Sequence, residues 1–286
     1  IMKSKIFLES ADPAETKVIT ELLGKLDGQV VHPGVLSTNA EIKGHLEQKG
    51  SFKYEQFMDF YKAIVEQIAQ IIPEGVIVAT VYTSADTSAD MLIDEGKEVG
   101  LWTSNVHAQL PASLAGIEAA SMLTQAGFRV AVSQVCSQQQ AGLVYDITTQ
   151  ALAGDVYITL DVSSLYKKGC DGRSLVEHVQ KIYNAGNAHV SVLMSGVTDV
   201  ETFIWGVAHG VDAVAASGEV LRQWEALHKP TELTKEQSVT LSKKGVPIPY
   251  EQIDITQEKN SYTLSNELTE EGITHMVEDW NNLLKK

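Results

Sequence analysis

The feature that most constrains the fold is a regular alternation of short apolar runs with longer amphipathic segments. The apolar runs predict eight strands, at residues 5–8, 28–31, 76–81, 106–110, 129–134, 156–160, 190–194 and 213–216. Strands that alternate with helices form a parallel sheet with right-handed crossovers, and eight such units indicate closure into a barrel. The sequence therefore predicts an α/β protein with a (β/α)₈ TIM-barrel fold.

The stretch from residue 104 to residue 137 shows this pattern most clearly. Ser113 is a good helix N-cap because its hydroxyl can accept from a backbone amide of the first turn, and Gly127 ends the helix. In a parallel barrel the strands on either side of this helix end on the same face, where barrel enzymes do their chemistry. We therefore expect Gln109 and Ser133 to be neighbours at that face.

The remaining helices are predicted between the strands and in a C-terminal arm. Between the strands they lie at residues 13–26, 40–48, 54–72, 87–99, 137–154, 175–183, 199–209 and 217–228. The arm has helices at 234–243 and 269–284 and an extended loop at 247–255. It either packs over the barrel or forms an oligomer contact. We predict a single domain, with the barrel in residues 1–230 and the arm in residues 231–286.

The charge and cysteine content limit the classes of partner. The formal net charge is −15 over 286 residues, which argues against nucleic acid or an anionic membrane as a partner. Two cysteines, Cys136 and Cys170, are too few for a disulfide framework and suit a reducing compartment. The sequence begins without a signal-peptide pattern and contains no apolar run long enough to span a bilayer. These features predict a cytoplasmic protein that acts on a small molecule.

Framework residues throughout the chain resemble those of the transaldolase family. The matching segments are Leu26–Gln29 with Pro33, Gly116 with Ala119–Ala120, Ser137 with Gln140–Ala141, Gly154–Ile158, Val220–Leu221 with Trp224, and Leu268–Trp280. Together they cover nearly the whole length. The resemblance implies a transaldolase-type barrel, and it supports the eight-strand interpretation independently of periodicity.

The pocket positions of the family depart from its pattern. Transaldolases use a lysine at the end of the fourth strand to form a Schiff base, and the matching residue here is Gln109, an amide that cannot attack a carbonyl. The first-strand aspartate corresponds to Glu9, and the second-strand asparagine to His32. The phosphate-binding arginine of the sixth strand corresponds to Ser164.

Three further strands also depart from the family at the pocket. The acid of the third strand corresponds to Thr80, and the polar pair of the fifth strand to Ala131 and Ser133. The seventh strand has Ser195, Gly196 and Thr198 where the family has alanine, serine and arginine. Two histories give such a pattern: a natural relative specialised for another ligand, or a transaldolase barrel whose pocket was deliberately rewritten. The concentration of the departures in the pocket favours the second.

The residues at these positions suggest metal-free acid–base catalysis without a cofactor. Glu9 and His32 end neighbouring strands, where a carboxylate that orients an imidazole makes a general base. Asp161 ends the sixth strand among apolar residues, and desolvation there would raise its pKa and make it a base for removing a proton from carbon. Gln109 and Ser133 would donate to a developing oxyanion. The residues do not decide whether Asp161 or His32 is the base.

The predicted lining of the pocket is mixed in character. Its apolar members favour a small, fairly apolar substrate, and they are Val30, Leu110, Leu160 and Met194. Its polar members are Thr80, Ser164, Ser195 and Ser217. Ser217 also begins a helix at the eighth strand, where barrel enzymes often bind phosphate. Without the family's arginines, we expect weak binding of sugar phosphates.

Two other classes of function remain open from the sequence. One is a non-catalytic ligand-binding barrel or inactive relative of transaldolase. The other is ester hydrolysis through Ser133 or through Cys136 with His32. His107 is predicted to be structural, and Lys167 and Lys168 to be solvated.

Overall fold

Eight parallel strands form a closed barrel in the computed structural model of the chain, which describes residues 3–255 and 261–284. The strands follow one another around the barrel in chain order, and β8 pairs with β1 to close it. Their bounds are β1 Lys5–Glu9, β2 Gly28–Val31, β3 Val76–Thr80, β4 Val106–Pro111, β5 Val130–Ser133, β6 Val156–Asp161, β7 Val190–Val197 and β8 Ala213–Ala216. This confirms the predicted (β/α)₈ TIM-barrel fold.

Helices surround the barrel and continue into the C-terminal arm. Those of the barrel are α1 Pro13–Leu23, α2 Pro33–Leu36, α3 Ala40–Lys49, α4 Tyr54–Ile71, α5 Ala89–Gly100, α6 Leu114–Gln125, α7 Gln138–Ile147, α8 Val162–Lys167, α9 Gly172–Tyr183, α10 Val200–Ala208 and α11 Gly218–Ala226. The arm contains α12 Lys235–Leu241 and α13 Glu267–Leu283. In the described part of the chain, no helix is long and apolar enough to cross a membrane.

The largest differences from the sequence prediction are two short helices that follow strands. Helix α2 begins directly after His32, with Pro33 in its first turn, where a proline needs no amide donor. Helix α8 begins directly after Asp161, whose side chain accepts from two backbone amides of its first turn. Both helices are too short to show a helical period in the sequence. They matter because they place the residues just beyond β2 and β6.

Alternate residues of each strand face two separate apolar clusters. Phe7, Val30, Val78, Ala131 and Tyr157 belong to the cluster that fills the middle of the barrel. The residues between them along each strand belong to the larger cluster that packs against the helices. Parallel strands buried on both faces read as continuous apolar runs. The side that each residue faces was therefore hard to read from the sequence.

The C-terminal arm packs against the barrel that precedes it. Thr269 donates to the backbone oxygen of Gln134 beyond β5, at 2.8 Å. Trp280 is fully buried, with its ring against those of Phe57 and Tyr82. Next to α13, the backbone amide of Phe52 donates to Leu283 at 2.9 Å. Helix α13 therefore crosses the carboxyl-terminal end of the barrel from the β5 side to the β2 side.

A substitution at Gly116 tests how closely α6 packs against β4. A Cβ at this position would overlap the backbone oxygen of Pro111, which cannot move without breaking the strand. We expect Gly116→Ala to lower the free energy of unfolding by about 2–4 kcal/mol in urea denaturation. The control is Gly44→Ala in α3, where an added Cβ meets nothing within 4 Å and alanine favours the helix. Equal stability of the two variants would contradict the packing described.

Candidate functional site

Polar side chains occupy the inward positions at the carboxyl-terminal end of the barrel. A continuous chain of hydrogen bonds crosses this mouth from β3 to β6. The Thr80 hydroxyl donates to Oε1 of Gln109 at 2.6 Å, and Nε2 of Gln109 donates to the Thr159 hydroxyl at 3.0 Å. All three side chains are buried. The amide of Gln109 is therefore fixed in the middle of the mouth, with one N–H of its two still available as a donor.

Gln109 and Ser133 do not form the predicted neighbouring pair. Ser133 lies opposite Pro111 in the β4–β5 register, and its hydroxyl donates to the backbone oxygen of Leu110 at 3.3 Å and to the Gln134 side chain. Because its one proton is used by these acceptors, Ser133 is a poorer oxyanion donor than we expected. No histidine contacts it in the described residues, which removes the arrangement that hydrolysis through Ser133 requires.

Glu9 is the acidic side chain whose proton affinity is most altered at the mouth. The pKa of Glu9 is raised from 4.5 to about 7, mainly by burial and to a smaller extent by the nearby charge of Asp161. The backbone amide of Gly196 donates to Oε1 of Glu9 at 3.3 Å, which opposes these effects. A carboxyl group in this state is part protonated at neutral pH. Glu9 can therefore both accept and donate a proton.

Asp161 is held as a capping carboxylate rather than as a free base. Its Oδ1 accepts from the amide and hydroxyl of Ser163 at 2.9 and 2.7 Å, and Oδ2 accepts from the Ser164 hydroxyl at 2.6 Å. Both carboxylate oxygens are therefore occupied by groups of the first turn of α8. This differs from the prediction of a desolvated base, because the sequence did not reveal the helix that Asp161 caps. Ser164 thus serves the cap instead of a substrate phosphate.

His32 lies at the mouth with its ring unpaired among the described residues. It is the residue before α2, and its side chain makes no capping hydrogen bond. Burial lowers the pKa of His32 from 6.5 to about 4, although the Asp161 charge acts in the opposite direction. The imidazole is therefore neutral at physiological pH. Among the described residues no hydrogen bond joins Glu9 and His32, so the predicted dyad is not formed; the hydrogen bond to Glu9 comes from the amide of Gly196.

Three of the predicted apolar lining residues face away from the mouth. Leu110, Leu160 and Met194 belong to the cluster between the barrel and its helices. Val30 does face inward, but it lies in the apolar layer in the middle of the barrel. Ser195, which pairs with Asp161 across the β6–β7 register, is inward and buried. The mouth is therefore more polar than predicted, which argues for a small polar ligand rather than an apolar one.

The helix that begins after Ser217 already faces an acidic side chain. The Ser217 hydroxyl accepts from the amide of Val220, and the carboxylate of Glu15 lies against Gly218. Arg222 donates to Glu15 at 3.3 Å and holds it there. An anion at this helix end would have to displace or repel the Glu15 carboxylate. Ser217 is therefore badly placed to bind phosphate.

The contacts of the remaining candidate site residues indicate structural rather than catalytic roles. Burial raises the pKa of the Cys136 thiol to about 11, which leaves almost no thiolate at neutral pH and disfavours a cysteine nucleophile. His107 bonds to the backbone oxygen of Gly154 at 2.8 Å near the amino-terminal end of the barrel, and burial lowers its pKa to about 4. Lys168 pairs with Glu271 of α13 at 2.7 Å.

Within residues 3–255 and 261–284, no group of three His, Cys, Asp or Glu side chains is arranged to hold a metal ion.

Sequence reasoning missed three residues of the mouth. Thr159 lies two positions before Asp161 on the same strand, so the strand period of two would have revealed it. Gly196 has φ +65°, and its backbone amide donates a hydrogen bond to Glu9. This contact depends on a register shift in β7 that leaves no pattern in the sequence. Asp279 approaches Gly34 from α13, and the sequence alone did not show where that helix docks.

Comparison with known proteins assigns the chain to a family. The sequence pattern of the transaldolase/fructose-6-phosphate aldolase family matches residues 37–286. The chain belongs to this family. It is 29% identical over 219 residues to a probable transaldolase of Prosthecochloris aestuarii, which covers 77% of this chain and 89% of that protein. It is 27% identical over 193 residues to a probable transaldolase of Dehalococcoides mccartyi, which covers 68% of this chain and 77% of that protein.

The raised proton affinity of Glu9 predicts a pH-dependent effect of Glu9→Gln on stability. The folded pKa of about 7 lies above the ordinary value of 4.5, so ionising Glu9 costs stability as pH rises through this window. We expect Glu9→Gln to raise the free energy of unfolding at pH 8 by about 1–3 kcal/mol, and the gain to vanish near pH 4.

The measurement is urea denaturation at both pH values, with the exposed Glu74→Gln as the charge-matched control. A gain of the same size at pH 4 and pH 8 would show that the effect of Glu9→Gln is not due to ionisation.

Proposed function

We propose that this protein catalyses reversible proton transfer at a carbon next to the carbonyl of a small, polar hydroxy-carbonyl compound. The observation that carries the proposal is the state of Glu9, a carboxyl group with a pKa of about 7 at the carboxyl-terminal end of β1. General bases work best when their pKa lies near the operating pH. Asp161 supports this role from β6, because its charge favours the protonated form of Glu9.

The proposed reaction begins with Glu9 in its carboxylate form. One carboxylate oxygen takes the proton from the carbon next to the carbonyl, and the C–H electron pair forms the double bond of the enediolate. The carbonyl electrons move onto its oxygen. Protonated Glu9 then returns the proton to the same carbon, and the electron pair on the oxygen re-forms the carbonyl. The free N–H of Gln109 and the hydroxyl of Ser195 are the donors that would stabilise the oxyanion.

The activity in the names of the relatives, transaldolase, requires a primary amine for its Schiff base. Among residues of the eight described strands, lysine occurs at Lys5, at the amino-terminal end of β1, where it donates to Tyr157 at 3.1 Å. Near the mouth, Lys168 is paired with Glu271, and Lys244 with Asp199. We therefore propose that the family barrel is used here without Schiff-base chemistry.

The reaction is tested by hydrogen–deuterium exchange of hydroxyacetone and dihydroxyacetone in D₂O, followed by proton NMR. We expect the protein to accelerate exchange, with kcat/KM rising through an apparent pKa near 7. Glu9→Gln should reduce the rate by about 100-fold or more, the range for loss of a general base. Glu74→Gln, a change of an exposed carboxyl group just before β3 at the amino-terminal end of the barrel, serves as the control and should leave exchange unchanged. Binding of either ketone without exchange would favour the non-catalytic alternative.

Gln109→Lys tests whether the missing amine is what separates this chain from transaldolase chemistry. A lysine at this buried position would lose proton affinity through desolvation and become nucleophilic at neutral pH. We expect borohydride to trap a covalent adduct of dihydroxyacetone on Gln109→Lys, seen by mass spectrometry, and none on the unaltered protein. Trapping on the unaltered protein, or turnover of fructose 6-phosphate with erythrose 4-phosphate, would contradict the proposal.

We also propose a cytoplasmic location. Cys136 and Cys170 are both free, as expected in a reducing compartment.

A further inference from the structure

A groove lies between α6 and α7 on the outer surface of the barrel, and its lining includes none of the mouth residues. The floor of this groove is apolar and is formed by Ile117, Leu143, Ile147, Tyr262 and Leu264. The cavity above the floor measures about 550 Å³, a volume typical of binding sites. A second cavity of about 570 Å³ continues it and is also lined by Ser121, Gln125 and Ile147. The two cavities together are called the α6–α7 groove.

Helix α6 exposes apolar side chains along this groove. A surface helix normally carries charged and polar residues on the face turned away from the core. The spacing of four residues places Leu114, Glu118 and Met122 on one side of α6. Leu114 is 75% exposed and Met122 is 51% exposed. Two large apolar side chains therefore border an apolar floor, and exposed apolar surface of this extent marks an interaction site.

The charged residues that line the groove are both acidic. They are Glu118 on α6 and Asp146 on α7, and neither helix contains a lysine or an arginine. Within residues 3–255 and 261–284, no lysine or arginine forms an ion pair with Glu118. The groove therefore combines an apolar floor with an unneutralised negative charge at its rim. Its complement is an apolar surface that carries positive charge.

The C-terminal arm fixes one end of the groove. The backbone oxygen of Leu264 accepts from Nε2 of Gln140 at 2.8 Å. The ring of Tyr262 lies against Gly142, where an added Cβ would be 2.6 Å from Cε1 of the ring. The hydroxyl of Tyr262 donates to the backbone oxygen of Asp254 at 3.1 Å. These contacts form the groove in advance, which reduces the entropy lost when an occupant binds.

The length of the groove favours a helix over a small molecule. Helix α6 has 12 residues and is about 18 Å long, and the two cavities lie along it. A helix of similar length covers both cavities together with the exposed faces of Leu114 and Met122. A small cation fills one cavity and leaves these two apolar side chains in water. Only the helix therefore buries the whole apolar surface.

A second copy of this chain fits the groove less well. Copies of one chain meet most often through a two-fold contact that uses the same patch on both. Such a contact through α6 and α7 would bring Glu118 and Asp146 toward the same residues of the other copy. Neither helix has a lysine or an arginine to offset the repulsion between these carboxylates. The charge pattern therefore favours a different, basic partner.

We propose that the α6–α7 groove binds a basic amphipathic helix of a partner protein. The apolar face of that helix packs on the groove floor between Leu114 and Met122, as in other complexes that place a helix in a groove. Its lysine or arginine residues lie beside Glu118 and Asp146 and set its orientation. The groove and the mouth are separate surfaces, so this binding does not depend on the proposed reaction.

The probe is a synthetic peptide of about 14 leucine and lysine residues, with all the leucines on one helical face. One control peptide has the same composition with the leucines spread around the helix, and another has glutamate in place of lysine. Binding is followed by ¹³C NMR of the methionine methyl groups, with the Met122 signal assigned by its loss in Met122→Leu. Met91 is 49% exposed on α5 and does not line the groove, so it is the internal control.

We expect a saturable shift of the Met122 signal with the amphipathic leucine–lysine peptide and little change with either control peptide. The Met91 signal should stay in place. No shift of Met122, or equal effects of the amphipathic peptide and the peptide with spread leucines, would overturn the proposal.

Two surface variants test the contacts separately. Glu118→Lys and Leu114→Ser should each weaken binding of the amphipathic peptide at least about tenfold, through loss of the charge and of the apolar border. Glu21→Lys makes the same charge change at an exposed position of α1, across the barrel from α6, and should bind as the unaltered protein does. Equal weakening by Glu118→Lys and Glu21→Lys would show that only net charge matters and would overturn the groove as the site.

Two further outcomes would assign the groove to another occupant. The first is a Met122 signal that shifts with protein concentration in the absence of peptide, together with dimer formation in sedimentation velocity, which would identify a second copy. The second is binding of phenethylamine, a small apolar cation, as tightly as the peptide. Either result would overturn the proposal of a helical partner.

Discussion

Closure of the barrel between β1 and β8 is the constraint on which the site depends. Backbone pairing from Lys5 with Ala213 to Leu8 with Ala216 fixes the register of the first strand against the last. Because side chains alternate along a strand, that register places Phe7 in the apolar middle layer and Glu9 above it. A slip of one residue would turn Glu9 toward the helices. The altered proton affinity of Glu9 is thus a consequence of closure as well as of local burial.

The mouth combines two kinds of polar environment. On the β3–β6 side, Thr80, Gln109 and Thr159 satisfy one another, and each hydrogen bond contributes about 1 kcal/mol net. On the β1–β2 side, Glu9 and His32 have few hydrogen-bond partners. Burial raises the pKa of Glu9 and lowers that of His32, and both changes favour the neutral form of the side chain. The first region holds Gln109 in one orientation and leaves one of its N–H groups as a donor. The second is where proton transfer and ligand binding are chemically favourable, because its groups are not already satisfied.

The sequence predicted the architecture well because the strand–helix rhythm is a property of local residues. Ser113 caps α6 as predicted. The side of the sheet that each residue faces was less predictable. Leu110, Leu160 and Met194 lie in strands that are apolar on both sides, so no alternation in the sequence distinguishes the residues that point into the barrel. Glu9 and His32 were identified as mouth residues, but their partners were not.

The partners were missed because they come from irregular or distant segments. Gly196 reaches Glu9 through a register shift in β7, and Asp161 is occupied by a helix of six residues that has no periodic signature. Asp279 lies in the last helix of the chain, and the burial of its neighbour Trp280 fixes its position. Each of these depends on tertiary contacts between segments far apart in sequence. Propensity and spacing contain no information about them.

The central claim is that Glu9 holds a proton near neutral pH because of burial and of the charge on Asp161. The most direct measurement is the titration of the Glu9 side-chain carboxyl carbon by ¹³C NMR, in the unaltered protein and in Asp161→Asn. The account predicts a midpoint near 7 in the unaltered protein and a lower one in Asp161→Asn. A midpoint near the ordinary value of 4.5, or one that Asp161→Asn does not lower, would contradict it.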